Sequence, residues 1–349
     1  MDIRTRRKTV GILRVLHEAG RPLGATRIAR ELRPSGIDLS HRTVRHYLGI
    51  MDRSGLTRSC GKRGREITPA GEEELRSALV MDKVGFVAAR VDSLTYRMTF
   101  SLPKRRGKVI LNVSTVDEDA LPEAAARMME VYHAGLGMGR FVVLGRAGDT
   151  VGDFVVPAGR VAIGTICSVT INGALLSAGI AVSSRFGGLL EVERGMPVRF
   201  TQVIHYDGTT LDPLEIFIRG RMTSVRAAAA GGRGLVGASF REVPAAALAD
   251  VQKISRRLDR IGLGGIMVVG RPNQPLLDIP VPQERAGIII VGGLNPLAAV
   301  EEAGIRTENA AMHSMFGFEG LQPLEALEEL AAAPGAVCAL PATAERLLT

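Results

Sequence analysis

The chain has 349 residues, of which 46% are hydrophobic and 23% charged, the balance of a folded globular protein with room for two or three domains. Without Trp, and with aromatics at only 4%, its cores must be aliphatic with Met as filler. No apolar run approaches the ~18 residues of a membrane span, and Met1-Asp2-Ile3-Arg4-Thr5-Arg6-Arg7-Lys8 is not a signal-peptide core, so no membrane partner and a soluble, cytoplasmic protein are expected. Cys60, Cys167 and Cys338 lie far apart with no CxxC or His at ligand spacing, which excludes a disulfide framework and argues against a metal site. The net charge of +8 sits at one end: residues 1–76 hold 17 Lys/Arg against 9 Asp/Glu, and the remainder holds 27 of each sign. A basic module joined to a neutral one suggests attachment to a polyanion plus a body with another task.

The basic module reads as three helices and a hairpin. Val10, Leu13 and Leu16 recur every three residues before Gly20-Arg21-Pro22. Residues 25–32 bury Ile28, Ala29 and Leu32 and stop at Pro34-Ser35-Gly36. The third helix starts at Ser40, a natural N-cap, turns Val44, Leu48 and Met51 inward and closes on Gly55. That leaves His41, Arg42, Arg45 and His46 outside. The segments 56–60 and 65–68 then flank Gly61-Lys62-Arg63-Gly64, a short hairpin with a basic tip. Helix, helix, recognition helix and basic wing is the order of a winged helix-turn-helix. Ser40, His41, Arg42, Arg45 and His46 are candidates for the major groove, where an Arg fork matches guanine O6 and N7. Arg58, Lys62, Arg63 and Arg65 are candidates for phosphates, setting affinity and salt dependence. Residues 68–75 read as an acidic helix leaving the wing.

The body contains a duplication. Gly139–Arg146 matches Gly264–Arg271, Val156–Ile163 matches Val281–Ile288, and Ala178-Gly179-Ile180 matches Ala303-Gly304-Ile305, all at an offset of 125 residues. Between 137 and 180, 14 of 44 positions are identical at that offset. Past 180 the register slips by five, setting Phe186-Gly187 on Phe316-Gly317. Each copy, near 84–195 and 209–325, reads strand, helix, strand, irregular Gly/Pro stretch, strand, helix. Segments 198–206 and 214–218, with a turn at Asp207-Gly208, read as a connecting hairpin. The fold class expected is an α/β body of two pseudo-symmetric halves behind an N-terminal winged helix-turn-helix.

Two strand-to-helix turns, Gly164-Thr165-Ile166-Cys167-Ser168 and Ile290 to Pro296, put glycine and small polar residues at a helix start. Free N–H groups and the helix dipole there can receive a carboxylate or phosphate, although an ordinary turn needs the same glycines. Enzyme motifs are missing. Gly135-x-Gly137-x-Gly139 follows a helix and is a C-cap, no P-loop occurs, and no His pair has zinc spacing. Cys167 could be a nucleophile with His205 or His313 as base, or a packed residue beside Gly and Ser. Nothing else assembles a nucleophile, a base and an orienter.

A basic winged helix feeding a neutral, duplicated body resembles a one-component regulator whose body senses a metabolite and dimerises. The wording of 164–180, Arg185–Val192, Pro197–Ile204 and Leu211–Ile218 is similar to the regulatory domain of the archaeal nitrogen-repressor (NrpR) family, over about 80–325. The resemblance implies a winged helix over 1–76 and an effector-binding, dimerising body over 77–349. It implies a homodimeric repressor of nitrogen-assimilation genes, not an enzyme, that leaves operator DNA when 2-oxoglutarate accumulates, with no cofactor or metal. Some members carry two tandem regulatory domains, whereas this chain has room for one. A dicarboxylate effector needs an anion-binding turn and a clamp, for which Gly164, Thr165, Cys167, Ser168 and Thr170 are candidates, with Arg160 and Arg185 as charge partners. Arg160 recurs as Arg285, so it could instead serve the fold. Two rival readings remain: an enzyme or carrier for a small carboxylate that autoregulates through its winged helix, and a winged helix that docks a protein assembly. The Ala-rich tail after Leu330 carries no reading.

Overall fold

A computed structural model of the protein describes residues 3–75 and 86–332. The chain divides into two compact units, Met1–Gly85 and Phe86–Thr349. The expected boundary at 76/77, the start of the first repeat at 84 and the tail from 333 onward lie outside the described residues.

In the first unit, α1 (Ile3–Ala19), α2 (Ala25–Leu32) and α3 (His41–Arg53) precede the hairpin β1 (Thr57–Ser59) and β2 (Arg65–Ile67), and residues 69–75 form α4. The apolar spacing delivers its core: Ile12, Leu13 and Leu16 of α1 meet Ile28 and Leu32 of α2 and Val44, Leu48 and Met51 of α3. Leu23 adds a bridge to Arg65 at the edge of the wing.

The second unit runs α5 (Val87–Arg97), β3 (Lys108–Asp117), α6 (Leu121–His133), β4 (Phe141–Gly145), β5 (Thr150–Val151), β6 (Phe154–Val155), β7 (Arg160–Ile166), α7 (Val169–Leu176), β8 (Ser183–Glu193) and β9 (Met196–His205). It continues through α8 (Pro213–Arg219), α9 (Val225–Ala229), β10 (Arg233–Pro244), α10 (Leu248–Arg260), β11 (Ile266–Val269), β12 (Arg285–Val291), α11 (Asn295–Glu302), β13 (Glu308–Gly317), β14 (Gln322–Pro323) and α12 (Glu325–Ala332). Both halves share one order of elements: β3-α6-β4-β7-α7-β8 and β10-α10-β11-β12-α11-β13.

The two five-stranded antiparallel sheets have orders β13-β3-β7-β4-β14 and β11-β12-β10-β8-β9. Each half therefore gives its fourth strand to the sheet of the other, β8 beside β10 and β13 beside β3. This reciprocal exchange ties the halves together. The largest buried cluster mixes Leu111, Val113 and Val143 of the first sheet with Val243, Ile288 and Ile290 of the second and Val251, Ile254 and Leu258 of α10. Met128 and Met129 of α6 fill the other face of the first sheet, the filler role the composition predicts.

Two sequence readings need correction. Residues 198–218 do not form a hairpin: β9 pairs with β8 through a turn at Arg194-Gly195, both at positive φ, and 213–219 is helical. Asp212 caps that helix, its Oδ1 accepting from the Leu214 N–H at 2.9 Å, and Pro213 holds the first helical position. The match of Phe186-Gly187 with Phe316-Gly317 also fails. Arg160 stands opposite Asp117 and Arg285 opposite Pro244, so the first strands correspond at an offset of 127. Phe186 faces Phe240, whereas Phe316 faces Val109, the counterpart of Val236, whose partner is Leu190. A bulge between Ala310 and Ser314, with Met312 at φ 52°, misled the alignment.

Candidate effector cavity and nucleic-acid interface

In the winged unit, the Thr43 N–H donates to Ser40 Oγ at 3.1 Å, satisfying a free amide at the start of α3. The inward face of α3 leaves His41, Arg42, Arg45 and His46 exposed. The wing cations divide into two groups. Arg58 pairs across the strands with Glu66, holding that carboxyl below its ordinary range. Arg65 Nε lies 2.8 Å from Asp52 Oδ2, tying the wing to the end of α3. Lys62 and Arg63 at the tip, like Arg42 and Arg45, are exposed and make no ion pair among the described residues. Gly64 has φ 110°, and a Cβ there would meet the Leu23 backbone, so the tip requires glycine.

In the body, the two strand-to-helix turns face one another across the pseudo-two-fold axis. They share the walls of a narrow cavity of about 20 Å³, to which Cys167 and Ser168 contribute from one side and Gly292 and Gly293 from the other. The turns are anchored alike. The Cys167 N–H donates to the Ile110 carbonyl at 2.9 Å and the Gly292 N–H to the Gly237 carbonyl at 2.8 Å. Thr170 Oγ1 bonds both backbone groups of Ile110, and the Asn295 carboxamide does the same for Gly237. Thr170 is thus an internal brace.

The other predicted effector residues scatter. Thr165 Oγ1 accepts from Asn112 Nδ2, and Gly164 lies against Val143 and Leu111 inside the sheet. Arg160, at the opposite end of β7, donates to the Thr115 carbonyl at 3.1 Å and pairs with Asp117. Its repeat-mate Arg285 donates to the Glu242 carbonyl at 3.0 Å, so this arginine recurs because it closes the strand end in both halves. Arg185 pairs with Glu242 on the second sheet. Only Cys167 and Ser168 of the predicted set reach the cavity.

A buried charge stands behind the Ser168 wall of the cavity, on a residue the sequence did not single out. Arg241 of β10 is 1% exposed and is among the largest fully buried side chains. Its guanidinium donates to the Ser168 carbonyl at 2.9 Å, to Ser168 Oγ at 2.8 Å and to Asn172 Oδ1. Nε has no partner, and no carboxylate ion-pairs with it among the described residues. Burial lowers its pKa, the expected response of a cation removed from water without a counter-ion. Tyr206 and Asp212 line the cavity itself, whereas Arg241 reaches it only through Ser168. Burial pushes the Asp212 carboxyl up to about 6 and the Cys167 thiol up to about 11. A thiol shifted that way is protonated at neutral pH, and no histidine lines the cavity, so the chemistry of a cysteine nucleophile is not assembled. No group of three or more His, Cys, Asp or Glu residues placed to hold a metal occurs among the described residues, and none of the described helices is long and apolar enough to cross a membrane.

A winged helix with exposed cations on its third helix and wing, followed by an α/β body, is the arrangement of a transcription regulator. Residues 84–323 match the family described as NrpR regulatory domains NRD1 and 2, and residues 10–75 match the ribonuclease R winged-helix domain. The chain is 35% identical over 324 residues to the global nitrogen regulator NrpRI of Methanosarcina mazei, covering 93% of this chain and 100% of that protein. It is 32% identical to the global nitrogen regulator NrpR of Methanococcus maripaludis and 31% identical to that of Methanocaldococcus jannaschii, over 86% and 91% of this chain. It spans only 52% and 55% of those two longer proteins. The solved structure of a nitrogen repressor-like protein from Methanococcus jannaschii is 28% identical, with a TM-score of 0.58 over 69% of this chain and 99% of that one. The chain belongs to the NrpR family, whose members are named as nitrogen regulators rather than enzymes.

Proposed function

We propose that the chain is a homodimeric repressor that binds operator DNA through α3 and its wing and leaves it when 2-oxoglutarate enters the body cavity. The observation that carries this reading is the Arg241 guanidinium, buried without a counter-ion beside the start of α7. A carboxylate arriving there gains a charge-assisted hydrogen bond in a low-dielectric site. Ser168 Oγ, which accepts from Arg241, can turn its own O–H toward the same side. A cavity of about 20 Å³ holds one water molecule, not a dicarboxylate. The effector is therefore admitted only as the two turns part, and its preference for the parted state is what shifts the equilibrium.

On the DNA side, a dimer presents two α3 helices to major grooves ~34–36 Å apart or a multiple of it. Arg42 and Arg45 read base edges, and Lys62 and Arg63 hold phosphates. Arg58 is engaged across the wing strands and Arg65 with Asp52 of α3, so both hold the wing in place. Mobility-shift titration of the full chain on its own upstream DNA tests both halves of the proposal. Millimolar 2-oxoglutarate should release the complex, and Arg45→Ala should lose about 1–3 kcal/mol of operator affinity while relaxing base preference. Operator affinity that ignores both the ligand and the substitution contradicts the proposal.

A further inference from the structure

A second cleft, of about 330 Å³, opens where the helices α6 and α10 end, on residues that the cavity of the two turns does not use. Both helices close alike. Gly135 (φ 69°) and Gly262 (φ 78°) take the left-handed cap, and the N–H groups of Leu136 and Leu263 reach back to the carbonyls of Val131 and Leu258. The two segments then bond to each other, Gly139 N–H to the Gly264 carbonyl at 2.9 Å and Arg140 N–H to the Gly262 carbonyl at 2.8 Å. Tyr132 and Asp259 occupy equivalent places, each three residues before its capping glycine. Gly137 lies against the Tyr132 ring and Gly264 against the Asp259 carboxyl, and a Cβ at either would collide.

Three features of this cleft have no explanation in the fold. Tyr132 lines the cleft and is 8% exposed, yet its hydroxyl has no hydrogen-bond partner. Asp259 puts an acid in the last turn of α10, where the helix dipole disfavours negative charge and the Ser255 side chain is its hydrogen-bond partner. Arg140 lies near enough for its charge to act on Asp259, yet the two close no ion pair among the described residues. Partial burial acts on that carboxyl in the opposite direction and raises its pKa. Opposite charges thus border one space without meeting. Ile266, Met267 and Val291 supply an apolar wall beside them.

We propose that this cleft binds the zwitterion of a small aliphatic α-amino acid. The ammonium group sits at Asp259 and the carbonyl-rich helix ends, the carboxylate at Arg140, and the side chain on Ile266 and Met267. A lone amine or a lone acid would satisfy one charge and leave the other facing an apolar ligand, so both functions are required together.

Calorimetry and thermal shift on the full chain test this with leucine, isoamylamine and 4-methylvalerate as probes. Leucine should bind and raise the melting temperature, with the amine and the acid each about 10-fold weaker or worse. Asp259→Asn and the exposed Arg140→Gln should each weaken leucine by about 10-fold. Arg241→Met should leave leucine binding intact, which separates this site from the cavity of the two turns. If Asp259→Asn fails to fold by circular dichroism, Arg140→Gln decides. Absence of leucine binding in the millimolar range, equal binding of the amine or the acid, or variants that bind leucine like the native chain would each overturn the proposal.

Discussion

The two turns that face each other across the pseudo-two-fold axis share a backbone and differ in chemistry. The first presents Cys167 and Ser168 with Arg241 behind them, and the second presents Gly292 and Gly293. At the strand position equivalent to Arg241 the other half has Ser114, whose hydroxyl donates to Asn309 Oδ1 at 2.7 Å. Duplication supplied the scaffold twice, but only one side carries a charge. The second turn is a close-fitting wall, and the proposed anion site lies on the first. The same lesson applies to Arg160 and Arg285: what recurs in both halves serves the strand ends, and what breaks the repeat marks the site.

This contrast can be broken at several strengths. A Cβ at Gly293 would run into the Ile166 carbonyl, so Gly293→Ala should destabilise the body by about 3 kcal/mol or more, whereas Ser168→Gly should cost about 1 kcal/mol. Denaturant titration of both variants checks the difference. Next, a saturating effector stabilises the native chain by about 2.7 kcal/mol at 100 times Kd, and Arg241→Met should abolish that gain while leaving effector-free stability within about 1 kcal/mol. Among the braces, Asn295→Ala removes bonds to Gly237 and Leu136 and should cost about 2 kcal/mol, against about 1 kcal/mol for Thr170→Val.

A pH-dependent effect concerns Asp212, which lines the cavity. Its carboxyl is raised to about 6 by burial, so the folded chain binds this proton more tightly than the unfolded one. The stability it contributes is present at low pH and is lost as pH rises from the unfolded value of 3.8 through the folded value of about 6. Asp212→Asn keeps the helix cap and should exceed the native chain by up to about 3 kcal/mol above that window while approaching it below. Melting curves across pH 4–8 read this out.

The basic head was legible because its helices are amphipathic and short in contact range, and the cores of α1, α2 and α3 follow the apolar spacing residue by residue. The duplication was equally plain at the glycine and proline positions of the irregular stretches. The exchange of β8 and β13 was not, since strand pairing at separations of 40 residues or more leaves no period in the sequence. Arg241 escaped for a related reason. In Ser239-Phe240-Arg241-Glu242 it reads as an ordinary polar strand position, and the offset of 125 sets it against Val116 rather than Ser114. Asp212-Pro213 did carry a readable helix-start signal, which the apolar residues at 214, 217 and 218 support with helical rather than alternating spacing.

Titration calorimetry of the full chain with 2-oxoglutarate, native against Arg241→Met, addresses the buried cation directly. One binding event per protomer in the native chain and none in the variant is the expected result. Two equivalent events per protomer, or unchanged binding once the guanidinium is gone, would contradict a single charged turn.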